Sequence, residues 1–240
     1  MKYDNPLIVR WEYASEERLQ NRNAILRSLS TGTNPEQAAF DAVAELKPKR
    51  VVDIGCGLGE LGERFAKELG AEVRGVDISP RMVELARARG VDAQIGDAER
   101  LPFGDDSFDC AFAGWVLYHV PNLAQALSEC ARVLTKDGTL VAASVCDDNL
   151  SEVWALFGGR ARQPLSFTRE NGEALLQPFF TQVERRDIDG EMVFPDTEAL
   201  RAFVASTIDG AHLAPQVPAI SEPFHATTRH VIFVASAPLH

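Results

Sequence analysis

The sequence predicts an α/β fold: a mostly parallel sheet covered by helices on both faces. Three observations carry that expectation. Between residues 35 and 147, short β-rich runs alternate with helix-period segments, which is the pattern of repeated strand–helix–strand units. The runs are nearly continuous in apolar residues, as strands buried on both faces are. The chain of 240 residues carries no internal repeat and no Gly/Ser/Pro-rich linker to divide it, and at roughly 150 residues per domain it is read as one domain over 1–240.

The strands are expected at 50–54, 71–77, 92–95, 108–113 and 139–145. After the first, Leu58, Leu61, Phe65 and Leu69 recur at helical spacing and Gly70 supplies the stop. The next helix has Ser79 as its N-cap, Pro80 at its first position and Gly90 beyond its end. A third begins at Asn122 with Gln125 three residues on, and lines up Leu123, Leu127, Ala131 and Leu134 as its buried stripe. Lys136-Asp137-Gly138 reads as the turn into the following strand. Past residue 147 the alternation ends. Helices are expected near 151–157, 168–176 and 198–206, and strands near 183–188 and 231–235, with a long Pro-containing connection at 194–225 between those two strands.

Lys plus Arg number 24 against 35 Asp plus Glu, a net charge of −11, so long polyanions are repelled on average and nucleic acid is not the expected partner. The opening residues hold no apolar stretch of signal-peptide length, and no run approaches the ~18 apolar residues of a membrane span, so the expectation is a cytoplasmic protein without a membrane partner. Cys56, Cys110, Cys130 and Cys146 stand singly, without zinc-ligand spacing, and read as buried reduced thiols.

The densest chemical signal is 51–59, Val-Val-Asp-Ile-Gly-Cys-Gly-Leu-Gly: a strand, an acid near its end, alternating glycines and then a helix. Glycines let backbone turn sharply and approach a ligand, and the helix start offers free N–H groups. Gly57, Gly59 and Gly62 with Asp77 also fit a dinucleotide fingerprint, which keeps an NAD(P)-dependent oxidoreductase open. Against it, Gly55 and Cys56 displace the register and Asp53 would face a pyrophosphate. Asp77 and Asp97 close the next two expected strands. A carboxylate at the first can accept ribose hydroxyls and one at the second an adenine amine, so the three acids outline an adenosyl group.

With those residues in place, the chain resembles the class I S-adenosylmethionine-dependent methyltransferases, in particular their small-molecule, type 11-like group. The matching motifs are residues 51–59, 75–86, 96–109 and 131–138, with Asp137 where the family has a glycine. The resemblance covers about residues 35–145. It implies a Rossmann-like three-layer sandwich with a seven-stranded sheet whose last strand is antiparallel and inserted beside the sixth. It also implies S-adenosylmethionine as cofactor and S-adenosylhomocysteine as product. The cofactor-binding roles fall on Asp53 and the loop residues Gly55, Cys56, Gly57 and Gly59 for the methionine end, on Asp77 with Ile78 and Met82 about the ribose, on Asp97, Ala98 and Glu99 about the adenine, and on Gly114 and Trp115 near the methyl group. Residues 34–146 form the cofactor core. A helical segment at 1–33 and the connection at 194–225 are the expected substrate cap.

The expected acceptor is a small organic molecule, methylated on O, N or C by a monomer or homodimer, with no metal. His119, on the loop after the fourth strand, is the candidate general base, and His212, His225 and His230 are weaker ones. Trp11, Tyr13, Tyr118 and His225 are assigned to the substrate pocket. Trp154, Phe194, Phe203 and Phe224 are large side chains whose default reading is core. A protein that binds the cofactor without catalysis would carry the same glycines and acids.

Overall fold

A computed structural model describes residues 4, 5, 13, 16–158, 165–208 and 210–239. In chain order the elements are α1 (Glu17–Leu29), β1 (Ser30–Gly32), α2 (Pro35–Leu46), β2 (Arg50–Ile54), α3 (Glu60–Leu69), β3 (Glu72–Asp77), α4 (Pro80–Ala88), β4 (Asp92–Ile95), β5 (Phe108–Gly114), α5 (Leu123–Val133), β6 (Leu134–Val145), α6 (Ser151–Ala155), α7 (Gly172–Leu176), β7 (Phe180–Phe194), α8 (Thr197–Ser206) and β8 (Phe224–Pro238). The strands form one sheet in the order β1-β7-β8-β6-β5-β2-β3-β4. β4, β3, β2, β5 and β6 are mutually parallel, and β8 lies antiparallel between β6 and β7.

Strand alternation divides the core between two faces. Val52, Ile54, Ala111 and Leu140 pack beneath α5, with Leu127 and Ala131, and α7, with Leu176. Their neighbours Val51, Cys110 and Val141 face α2, α3 and α4, with Phe40, Phe65 and Val83. The result is a three-layer sandwich. A separate apolar cluster joins Phe203 of α8 to the far ends of the β7–β8 hairpin, Phe194 and Ala226, with Leu26 of α1 packed against it.

The expected caps form. Ser79 Oγ accepts the Met82 N–H, Asn122 Oδ1 accepts the Gln125 N–H, and Gly70 ends α3 in the left-handed conformation.

Three expectations change. The sheet has eight strands instead of seven: the N-terminal segment is not helical to residue 33, because Ser30–Gly32 leaves α1 and pairs with Met192, Glu191 and Gly190 along the edge of β7. Gly190 admits that strand, since a Cβ there would lie 3.0 Å from the Thr31 carbonyl oxygen. Lys136-Asp137-Gly138 is not a turn but a bulge inside β6, which pairs through Leu134 with Phe108 and resumes at Thr139 with Cys110. The two C-terminal strands are far longer than their apolar centres and stay in register from Phe180↔Pro238 to Phe194↔Phe224.

Candidate functional site

The strand order reverses between β2 and β5, so the crevice at the carboxyl ends of these strands is where an open α/β sheet receives a ligand. The loop after β2 crosses that crevice. Its Gly55 and Cys56 N–H groups both donate to the Val76 carbonyl, at 2.7 and 3.0 Å, which draws the loop over the end of β3. Gly55 has φ 69°, and a Cβ there would sit 2.4 Å from Val116 Cγ2, so the close approach of loop and β5 exit requires glycine.

Asp77, at the end of β3, holds this geometry. Its Oδ2 accepts the Gly57 N–H at 2.9 Å and its Oδ1 the Ser79 N–H at 2.8 Å. Burial still pushes its carboxyl above the usual range, against the lowering effect of those N–H groups. Asp53, near the end of the neighbouring strand β2 and paired with Gly75, is 3% exposed and accepts no hydrogen bond from any described residue. Burial first, and then the negative charge of Asp77, push it up to about 7. Asp97 is exposed beyond the end of β4, where its Oδ1 accepts the Glu99 N–H at 2.9 Å. Glu99 in turn accepts the Asn122 N–H at 2.8 Å, tying this loop to the start of α5.

These acids open on one cleft of about 1160 Å³. Of the residues expected to bind the cofactor, Asp53, Gly55, Cys56, Gly57, Asp77, Ile78, Asp97, Ala98, Glu99, Gly114 and Trp115 line it. Gly59 and Met82 do not. Gly59 ends the loop at φ 76°, where a Cβ would lie 2.8 Å from Ala86 Cα, so it is needed for the contact of α3 with α4. Met82 is fully buried on the sheet side of α4.

The other end of the cleft is lined by Tyr13, Tyr118 and His119 together with Trp154, Leu165 and Phe203. His119 ends a 3-10 turn, Leu117–His119, and its Nε2 lies 3.1 Å from the Tyr13 hydroxyl. The Ser79 hydroxyl donates to the Tyr13 carbonyl at 2.7 Å, so the N-cap of α4 anchors Tyr13 at the cleft. Trp115 takes a left-handed backbone, φ 54°, and its indole N–H donates to His230 Nδ1 at 3.2 Å. Indole nitrogen only donates, so His230 accepts at Nδ1.

Several expectations fall elsewhere. His225 is not in the pocket: it is exposed on β8 and pairs with Glu191 Oε1 at 2.8 Å. His230 lines the cleft instead, five positions along the same strand and therefore on its opposite face. Trp11 lies outside the described residues. Phe194 and Phe224 belong to the apolar cluster under α8, whereas Trp154 and Phe203 reach the cleft from it. Sequence reasoning missed Asn149, Leu165 and Thr228 as lining residues, since no motif marks them.

Among the described residues, one group of possible metal ligands comes together: Cys146, Asp148 and Glu170. Its members are otherwise engaged. Asp148 pairs with Arg229 at 3.3 Å, Glu170 accepts the Asp147 N–H at 3.1 Å, and burial pushes the Cys146 thiol up to about 12.

Residues 52–142 match the family model described as a methyltransferase domain. A chloroplastic protein of Oryza sativa subsp. japonica, named as a probable tocopherol O-methyltransferase, is 38% identical over 126 residues, covering 48% of this chain and 35% of that protein. The methyltransferase GfsG of Streptomyces halstedii is 31% identical over 151 residues, covering 51% of this chain and 54% of that protein. The chain thus spans between about a third and just over half of these relatives' own length. The solved structure of the YcgJ protein from Bacillus subtilis shares the fold with a TM-score of 0.62 at 20% identity, over 85% of this chain and 100% of that one. Taken with the glycine loop and the three strand-end acids, these matches show that residues 52–142 carry a methyltransferase domain of the class I S-adenosylmethionine-dependent type.

Proposed function

We propose that this protein transfers a methyl group from S-adenosylmethionine to a small organic acceptor. The observation that carries the reading is the placement of Asp53, Asp77 and Asp97 at the ends of three neighbouring parallel strands, on one cleft shared with Tyr13 and His119. The residues fit the cofactor: a nearly dry carboxyl without a hydrogen-bond partner suits a cationic ligand and penalises a pyrophosphate, which weighs against the nicotinamide alternative. Asp77 would accept ribose hydroxyls with the lone pairs its two N–H donors leave. Asp97 and the Ala98 backbone would hold the adenine, and Asp53 with the Gly55–Gly57 turn the methionine end.

When bound, S-adenosylmethionine supplies a methyl group already activated by positive charge on sulfur. The chain then has to align the acceptor, exclude water and remove a proton. Trp154, Leu165, Phe203 and Tyr118 supply apolar walls for an acceptor. The Tyr13 hydroxyl takes the proton that leaves the acceptor and passes its own to His119 Nε2, with which it is already in contact. The N-terminal segment and the 194–225 connection, through Tyr13 and Phe203, act as the cap on this half.

Calorimetric titration with S-adenosylmethionine, S-adenosylhomocysteine and NADH tests the cofactor, and a labelled-methyl screen of hydroxylated aromatic and alicyclic compounds tests the acceptor. Micromolar binding of the two sulfur ligands and label transfer to at least one compound are expected. NADH binding in their place overturns the reading. Cofactor binding without transfer to any acceptor favours a binding protein.

A further inference from the structure

Asp53 and Asp77 occupy the ends of adjacent strands in different electrostatic circumstances. Asp77 has a backbone N–H on each carboxylate oxygen. Asp53 has none, although it is the more buried of the two. The groups facing it can neither share its charge nor neutralise it. From β3 comes the like charge of Asp77. From the loop and from β5 come the Cys56 and Cys110 thiols, both held protonated by burial and by the nearby carboxylates. From α3 comes Gly62, where a Cβ would lie only 3.1 Å from Asp53 Oδ2, leaving no room for a cationic side chain. What remains open to Asp53 is the cleft itself.

A buried carboxylate without donors or a counter-charge is costly, and two such groups side by side do not both ionise readily. We propose that Asp53 selects a positively charged ligand in this cleft by exchanging its proton for the ligand's cation. The inference rests on the cofactor reading above and adds to it a charge-selecting role for one residue and a proton released on binding. The O–H bond of the Asp53 carboxyl breaks, the proton leaves to solvent, and the carboxylate pairs with the ligand's positive group. No bond to carbon or sulfur changes. Burial and the Asp77 charge, which hold Asp53 protonated up to about pH 7, place the exchange within the physiological range.

The test is calorimetric titration of the full chain with S-adenosylmethionine at about pH 6, where an α-amino group of ordinary pKa carries its proton, in two buffers of very different ionisation enthalpy. The expected result is a buffer-dependent heat equivalent to about one proton released per ligand, with affinity rising about fivefold from pH 6 to 7 and by no more than about a further twofold above that range. 5′-Methylthioadenosine, which has neither sulfonium nor ammonium, is expected to bind with the same heat in both buffers, and Asp53→Asn to abolish the release. Binding of S-adenosylmethionine with equal heats in the two buffers overturns this inference alone, and does so in the unmodified protein, so the variant need not fold for the test to decide. Release that persists in Asp53→Asn also overturns it. Failure of S-adenosylmethionine to bind at either pH overturns the cofactor reading and this inference together.

Discussion

The Tyr13 hydroxyl lies 3.1 Å from His119 Nε2, although 106 positions separate the two residues. The contact joins Tyr13 to the turn after β5 within the lining of the cleft, and the rings meet edge to face with centroids 5.7 Å apart. If the pair moves one proton, its members act as a unit. His119→Ala and Tyr13→Phe are each expected to lower single-turnover methyl transfer by ~10²–10⁴-fold, with the double variant no worse than the poorer single one. Cofactor affinity, measured on the same proteins by calorimetry, should stay within about twofold. Multiplicative losses in the double variant would show that the two residues do not act as one relay.

Asp77 has a different role, since both of its oxygens already hold the loop. Asp77→Ala is expected to weaken S-adenosylmethionine binding by ~1.5–3 kcal/mol for each lost charged hydrogen bond, at least tenfold in Kd, and to lower thermal stability as well. Asp77→Asn keeps one acceptor oxygen and should lie between the two. An unchanged Kd in a folded Asp77→Ala protein would remove the ribose assignment.

Asp53 gives a stability prediction whose sign follows from its raised pKa. The unfolded carboxyl ionises near 4, whereas the folded one keeps its proton up to about 7. The contribution of Asp53 to stability is therefore most favourable in acid, declines as pH rises from 4 to 7, and stays low above 7. Asp53→Asn escapes that decline. In thermal unfolding without ligand it is expected to raise Tm at pH 8, through a gain in unfolding free energy on the order of 1–3 kcal/mol after the cost of an unbonded amide, and to lose the advantage at pH 4. A lower Tm at pH 8 would mean that the ionised form is stabilised by a group not described here.

Gly59 is a packing residue on the present geometry, although it belongs to the glycine motif. A methyl group there would face Ala86 Cα at 2.8 Å and a left-handed backbone at once. Gly59→Ala is expected to cost ~2–4 kcal/mol of stability by denaturant unfolding, from overpacking plus strain, while the protein that remains folded binds S-adenosylmethionine normally. Loss of binding without loss of stability would return Gly59 to the ligand site.

The sequence by itself determined the parallel core and the acid half of the cleft, because both are written in contiguous signals. A strand with an acid at or near its end, a short turn and a helix lie within a dozen residues at 51–62, where the turn is glycine-rich, and again at 72–82, where Ser79 caps the helix, and local conformation places Asp53, Asp77 and the Gly55–Gly57 turn with little help from distant parts of the chain. Tertiary structure alone decided the rest. Whether Tyr13 reaches His119, whether His230 or His225 faces the cleft, and whether Ser30–Gly32 adds an eighth strand depend on pairing between segments far apart in sequence. Strand register acts there as a parity rule: His225 and His230 sit an odd number of positions apart on β8, so one meets solvent and Glu191 while the other meets Trp115. The same limit holds for Met82 and Gly59, whose motif positions are legible but whose directions follow from the packing of α4 on the sheet and against α3. Local rules place a residue along its element; which neighbour it meets is decided by the free energy of packing the whole sheet, to which no short window of sequence has access.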